Sequence, residues 1–307
     1  MRNHFSKILY ELIKENKKII LLSADIGNRL FDKIKKDFPK NFLNCGIAES
    51  NMITFASGLS KNGFIPICYT ITNFLIYKTF EQIRNDSIYN KNKIIIVGTG
   101  SGFSYNHLGP THHSLEDIGI LNNLPDINIF SPSDNNDLNV HLNYAVKRKN
   151  HFCTYLRIGK KNEPLIKKPQ SKINELNFLI KKKSKNAIVF TGPLSEEVLF
   201  ASKLLEEKNL NFSIINLHQI KPMTKKMISG LSKFQKIYTV EEHFSSTGIK
   251  SILSNELSKK NIRIVSINKK NIFISELGSR SYIRDRFGIS GKKIYKNILN
   301  DCEKNRN

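Results

Sequence analysis

The run Lys93 to Gly98, KIIIVG, restricts the fold more than any other stretch of the chain. Ile94, Ile95, Ile96 and Val97 stand in succession with no polar residue between them, so neither face of this strand can meet water. A strand buried on both faces needs a layer above and a layer below, which is the arrangement of a parallel sheet between helices. Shorter apolar runs recur on both sides of it: Ile19 to Leu22, Ile65 to Cys68, Ile127 to Phe130 and Phe152 to Arg157. Helical patterns separate them. Phe5, Ile8, Leu9, Leu12 and Ile13 suit an amphipathic first helix, Leu30 to Phe38 a second that Pro39 stops, and Phe74 to Tyr89 a longer one.

The same alternation returns further on, with strands expected at Ala187 to Thr191, Phe212 to Leu217, Ile237 to Val240 and Ile262 to Val265. At 307 residues the chain suits two domains of about 150 residues. The expected architecture is therefore α/β, in two domains, each a mostly parallel sheet flanked by helices. Residues 1–160 form the first and 187–307 the second. The stretch 161–186, rich in Lys and Asn and carrying Pro164 and Pro169, reads as the connector.

Open sheets of this kind place ligands beyond the carboxyl ends of their strands, so the loops there hold the candidate site. Ser23-Ala24-Asp25-Ile26-Gly27-Asn28 follows the first strand, and Gly98-Thr99-Gly100-Ser101-Gly102 follows KIIIVG. The glycine loop fits neither the dinucleotide nor the Walker pattern. Gly109-Pro110-Thr111-His112-His113-Ser114 comes next, where one histidine suits hydrogen bonding or proton transfer in a cleft; two adjacent ones do not suit a metal. Arg157 ends the fifth strand, where it serves either an ion pair or bidentate recognition of phosphate or carboxylate.

Glu49 is the lone acid of the stretch 41–63, near the start of a helix with apolar Ile47, Met52, Ile53, Phe55, Ala56 and Leu59. Two readings stand: it caps the helix, or it holds a proton for a bound heterocycle. Ile71, Phe74 and Tyr77 fall three apart and share one helical face, as core or as pocket. Glu241-Glu242-His243 follows a strand of the second domain with no nucleophile or metal set around it, and reads as structural.

A formal charge of +23 raises the question of nucleic acid, yet the lysines spread along the whole chain and no aromatic-basic module accompanies them. Their expected effect is to draw anionic metabolites into a cleft. No apolar run approaches the roughly 18 residues of a membrane span, and the first residues do not read as a secretory signal, so the expected location is cytoplasmic. Cys45, Cys68, Cys153 and Cys302 form no CxxC pair, which argues against a disulfide framework and a zinc site.

Taken in order, SADIG, NCGIAE, the aromatic segment ending FEQIR, GPTHHSLEDI and SPSD resemble the carboxyl-terminal half of transketolases. The resemblance runs from about residue 20 to residue 160, and TVEEH with GSRSYIRDRFGISG carries it through the second domain. The β subunits of 2-oxo acid dehydrogenases and the deoxyxylulose-phosphate synthases share these two domains. The resemblance implies transfer of a two-carbon ketol unit between sugar substrates with thiamine diphosphate.

Glu49 matches the family's Glu that bonds N1′ of the cofactor aminopyrimidine. Ile71, Phe74 and Tyr77 match the pyrimidine pocket, with Phe74 as the stacking ring, and Asp25 matches an Asp near the cofactor. His112 matches a His near the reacting centre, and Arg157 an Arg for the substrate phosphate. Arg29 stands about where the family has a phosphate-binding Ser, Leu108 replaces an Asp, and a family His falls near Gly100. These departures imply a specialised sugar substrate.

Thiamine enzymes bind the diphosphate and Mg2+ with a GDG motif and a later Asn, and no GDG occurs here. The resemblance thus implies a split enzyme, in which this β-type chain pairs with an amino-terminal subunit carrying that motif. The expected assembly is an α2β2 heterotetramer with β-β contacts, with Mg2+ held mainly by the partner.

Overall fold

The computed structural model describes residues 1–148, 153–160, 163, 170–268 and 271–304. Phe152, Pro164 and Pro169 lie outside the described residues. The first sheet is built from β1 (Ile19–Ser23), β2 (Phe42–Asn44), β3 (Ile65–Ile71), β4 (Ile95–Thr99), β5 (Ile127–Phe130) and β6 (Cys153–Ile158), all parallel, in the order β5-β6-β4-β3-β1-β2. The KIIIVG run supplies β4 in the middle, and every residue of that strand is buried. The second sheet has β7 (Asn177–Ile180), β8 (Asn186–Phe190), β9 (Ser213–Asn216), β11 (Lys236–Val240) and β12 (Arg263–Ser266), ordered β12-β11-β8-β9-β7, with β7 alone antiparallel. Both expected sheets are present. The strand Asn177–Ile180 lies inside the stretch expected to be connector.

β10 (Gln219–Lys221) follows β9 in the chain yet pairs antiparallel with β5, adding a seventh strand to the first sheet. Three residues give almost no periodic signal, so this crossing was not legible. One apolar cluster accordingly spans both units, from Leu22, Met52 and Ile96 to Val189, Ile215 and Ile252. Each such side chain contributes about 1.5–3 kcal/mol on burial, so the two sheets stabilise one another.

Three helical segments shape the carboxyl edge of the first sheet and its support. Arg2–Glu15 buries Phe5, Leu9, Leu12 and Ile13 against the sheet, as its pattern requires. Glu49–Lys61 buries Met52, Ile53 and Ala56, while Ile47 before it and Phe55 within it are exposed. The long helix expected from Phe74 to Tyr89 is broken: Thr72–Tyr77 is a short α-helix, Phe80–Gln82 a single turn, and Ile83–Tyr89 a π-helical turn. Such wide turns gather at functional sites. No helix among the described residues is long and apolar enough to cross a membrane.

Candidate active site

β1, β3, β4 and β6 end side by side, and their carboxyl-terminal loops form one edge. Glu49 opens its helix on this edge and is 3% exposed. Ala48 is the cap residue and Glu49 makes no capping hydrogen bond, so the helix-cap reading falls away. Its Oε2 instead accepts from Lys78 Nζ at 2.7 Å. Ser50 Oγ, next in the chain, donates to the Lys78 carbonyl at 3.1 Å and ties the helix start to the end of Thr72–Tyr77.

Thr72–Tyr77 turns Leu75 and Ile76 into the core and leaves the Ile71, Phe74 and Tyr77 stripe only partly covered. The stripe is therefore not core, the simpler of the two sequence readings. It offers a flat apolar surface on the element whose end reaches Glu49. Tyr77 is anchored by its hydroxyl, which donates to Glu116 Oε2 at 2.6 Å.

His112 closes the far side of the stripe. Its ring meets Phe74 edge-on at 5.3 Å and Tyr105 at 5.8 Å. Asn73, one residue before Phe74, fixes this loop by donating Nδ2 to the carbonyls of Thr111 at 3.0 Å and His113 at 2.9 Å. Burial, helped by the charge of Lys160, lowers the His112 pKa below its ordinary 6.5. The ring is neutral near pH 7 and can both donate and accept. His113, by contrast, is buried against Phe103, with neither ring nitrogen hydrogen-bonded.

Gly100, where the family histidine was expected, has φ +83, and a Cβ there would lie 1.9 Å from the Tyr105 ring. A side chain cannot be placed at that point without moving Tyr105.

Arg157 takes the ion-pair alternative of its sequence reading. It lies one residue before the end of β6, is 1% exposed, and is engaged through two of its nitrogens: Nε donates to Asp117 Oδ2 at 2.8 Å, and Nη2 donates to the carbonyls of Ser114 and Glu242, both at 2.9 Å. Burial alone would raise the Asp117 carboxyl; Arg157, with His243, more than offsets it and holds Asp117 low. The guanidinium braces the His112 loop against the second unit. Beneath it, Glu242 binds Arg280 at 2.8 Å and Arg284 at 2.6 Å, while Glu241 accepts from the amide of Ile249 at 2.7 Å.

Asp25 and Arg29 lie on the turn after β1, both exposed and both with positive φ, 50° and 62°. Asn44 holds the turn: its Nδ2 donates to Asp25 Oδ1 at 2.9 Å, and its Oδ1 accepts from the amides of Asp25 and Gly46, each at 3.0 Å. The Asp25 turn is thereby pinned to the loop leading to Glu49. Arg29 lines a cavity of about 720 Å³ with Arg2, Lys7 and Lys33, against the single acid Glu11. Among the described residues no cluster of three or more His, Cys, Asp or Glu side chains could hold a metal ion.

The structure thus joins Glu49, Ile71, Phe74, Tyr77 and His112 around one short helix, ties the Asp25 turn to the loop before Glu49 through Asn44, places Arg29 on the cavity lined by Arg2, Lys7 and Lys33, and buries Arg157 among its own partners. Asn44, Asn73 and Lys78 were missed. Only their places beside NCGIAE and within the aromatic segment could have marked them.

Comparison with known proteins is consistent along the whole chain. The family model described as transketolase, pyrimidine binding domain, matches residues 1–164, and that described as transketolase, C-terminal domain, matches 178–294. An apulose-4-phosphate transketolase subunit of Actinobacillus succinogenes is 28% identical over 265 residues, covering 84% of each chain. Human transketolase is 29% identical over 261 residues, which is 83% of this chain but 41% of that protein. A solved structure described as a split gene transketolase, inactive beta4 tetramer, superposes with a TM-score of 0.85 at 26% identity, covering 97% of this chain and 96% of that one.

Proposed function

The chain belongs to the transketolase family, and we propose that it is the β-type subunit of a split, cytoplasmic transketolase that moves a two-carbon ketol unit between sugar phosphates. The observation that carries this reading is a nearly solvent-free carboxylate, Glu49, at the end of a partly open aromatic stripe with a neutral imidazole at the other.

That pair of features fits the pyrimidine end of thiamine diphosphate. A flat heteroaromatic ring needs an apolar face, which Ile71, Phe74 and Tyr77 offer, and a ring nitrogen needs a proton partner out of water, which Glu49 offers. Thiamine diphosphate, when bound, supplies the nucleophilic carbon and the electron sink for breaking and making the carbon–carbon bond. Glu49 holds a proton at N1′. His112 exchanges hydrogen bonds or protons with substrate oxygens, and its neutral state lets it act in either direction. Asp25 lies where the Glu49 loop and the β1 turn meet, beside the same ligand. Arg29, with the cations of its cavity, attracts the substrate phosphate.

Nothing in this chain resembles the GDG motif, so Mg2+ and the diphosphate fall mainly to an amino-terminal partner, in an α2β2 assembly with β-β contacts. The relative described as an inactive tetramer of β chains supports a subunit that carries half a site.

The test mixes the chain with that partner, thiamine diphosphate and magnesium, and offers ketose phosphates against 2-oxo acids. Turnover of ketose phosphates is expected, and Glu49→Ala should lower kcat/KM by about 10²- to 10⁴-fold, the usual worth of a positioned proton-transfer group. Turnover of 2-oxo acids alone, or full activity of the variant, contradicts the reading.

A further inference from the structure

Tyr105 follows the glycine loop of β4, and its ring fills the space that a side chain at Gly100 would need. The segment that carries it is fixed on both sides. The amides of Gly100 and Ser101 donate to the Ile158 carbonyl at 3.0 and 3.1 Å, and the Leu108 amide donates to the Tyr105 carbonyl at 2.9 Å. Asn106 Nδ2 donates to the Gly278 carbonyl of the second unit. The ring itself lies 5.8 Å from the His112 ring, and Lys160 Nζ stands 4.2 Å over its centre.

With the ring so held, the hydroxyl is left over. Tyr105 is 9% exposed, yet its hydroxyl makes no hydrogen bond among the described residues. Buried tyrosines usually pair this group, and Tyr77, Tyr155 and Tyr238 do so here, with Glu116, Asp117 and Asp301. The Tyr69 hydroxyl is unbonded as well, but at 0% exposure no ligand reaches it. Tyr105 instead has two partly exposed neighbours in the candidate site. One is His112. The other is Arg2, which lines the cavity of about 720 Å³, carries a buried Nε with no hydrogen bond, and extends its charge to the phenol. Burial raises the Tyr105 pKa above its ordinary 10.0 against the pull of Arg2, so at neutral pH the phenol keeps its proton and is a hydrogen-bond donor.

We propose that Tyr105 is a specificity residue, whose hydroxyl donates a hydrogen bond to a sugar hydroxyl lying between the reacting carbon and the phosphate. The inference rests on the transketolase reading, which puts the reacting carbon near His112 and the phosphate at the cations around Arg29, and it adds the residue between them. Donor and acceptor react at the same carbon and so pass this residue in turn. A site that pairs a buried donor with a substrate oxygen rejects the analogue lacking that oxygen, because the donor is then left unpaired. The phenol thus makes the site select a hydroxylated sugar phosphate over its deoxy analogue.

The test is a cycle of substrate and side chain, run on the complex of both subunits with thiamine diphosphate, magnesium and a ketose phosphate donor. The acceptors are ribose 5-phosphate, 2-deoxyribose 5-phosphate and 3-deoxyribose 5-phosphate. Tyr105→Phe keeps the ring over Gly100 and removes the hydroxyl alone. It should lower kcat/KM for ribose 5-phosphate by about three- to tenfold, the worth of one neutral hydrogen bond, and for one of the two deoxy sugars by less than about twofold. The wild-type preference for ribose 5-phosphate over that deoxy sugar should shrink accordingly. Equal losses on all three acceptors would mark a packing role, and no loss on any of them an idle hydroxyl; either result overturns the proposal while the transketolase reading stands. A wild-type complex that turns over no sugar phosphate overturns that reading and this inference with it.

Discussion

His243 sits fully buried against Asp117, 3.8 Å away, under the loop that carries His112. Burial lowers its pKa from 6.5 to about 4; Asp117 pulls it up and Arg157 pushes it down. The unfolded chain binds its proton near pH 6.5 and the folded chain only near pH 4, so stability from this group is present above 6.5 and is lost as pH falls toward 4. Burial pushes Glu241 the opposite way, up to about 8, against the amide bonds that lower it. Its share of stability is present at low pH and lost as pH rises from 4.5 to 8. A comparison with His243→Asn separates the two. In urea unfolding, the stability of wild type relative to that variant should shrink by about 2 kcal/mol between pH 7 and pH 5. A constant difference would mean that His243 is not held neutral. None of this balance was legible in Glu241-Glu242-His243 beyond its structural character, because the partners Asp117, Arg157, Arg280 and Arg284 are distant in sequence. The partners of Arg157 were not legible for the same reason. Its type and its place at a strand end were readable, but its acceptors stand 40 and 85 residues away.

At the scale of elements, the site depends on one six-residue helix that carries three kinds of contact. Its core face packs, its aromatic stripe stays partly open, and Asn73 crosses to the His112 loop. Asn73→Ala removes two hydrogen bonds and leaves one buried carbonyl, that of His113, without this donor, a cost of about 1–3 kcal/mol. The loop should then exchange its amide hydrogens faster around His112, with a lower kcat/KM and an unchanged exchange rate in β4; unchanged exchange in the loop would contradict the bracing role. The three-residue spacing of the stripe was readable, as was the start of the Glu49 helix. The break after Tyr77 was not, because Phe80, Ile83 and Ile88 continue an apolar pattern that a straight helix would also show. β2, β7 and β10 escaped notice because they are three or four residues long and each lies on a sheet edge.

For the whole molecule, the order of motifs was more informative than any one of them, and the missing motif as informative as those present. The two units share an apolar cluster, a strand and the Arg157 and Glu242 contacts, so they hold the His112 loop from both sides. The net charge of +23 found no partner class in the sequence; in the structure part of it gathers as Arg2, Lys7, Arg29 and Lys33 around one cavity near the β1 turn. In the proposed function, the folded chain presents the pyrimidine half of a thiamine site. The most direct test titrates thiamine diphosphate with magnesium into this chain alone, the amino-terminal partner alone, and the two together. The account predicts one site per β chain in the complex and affinity at least about a hundredfold weaker for either chain alone, a difference of about 2.7 kcal/mol. Equal affinity for the partner alone and for the complex would contradict it.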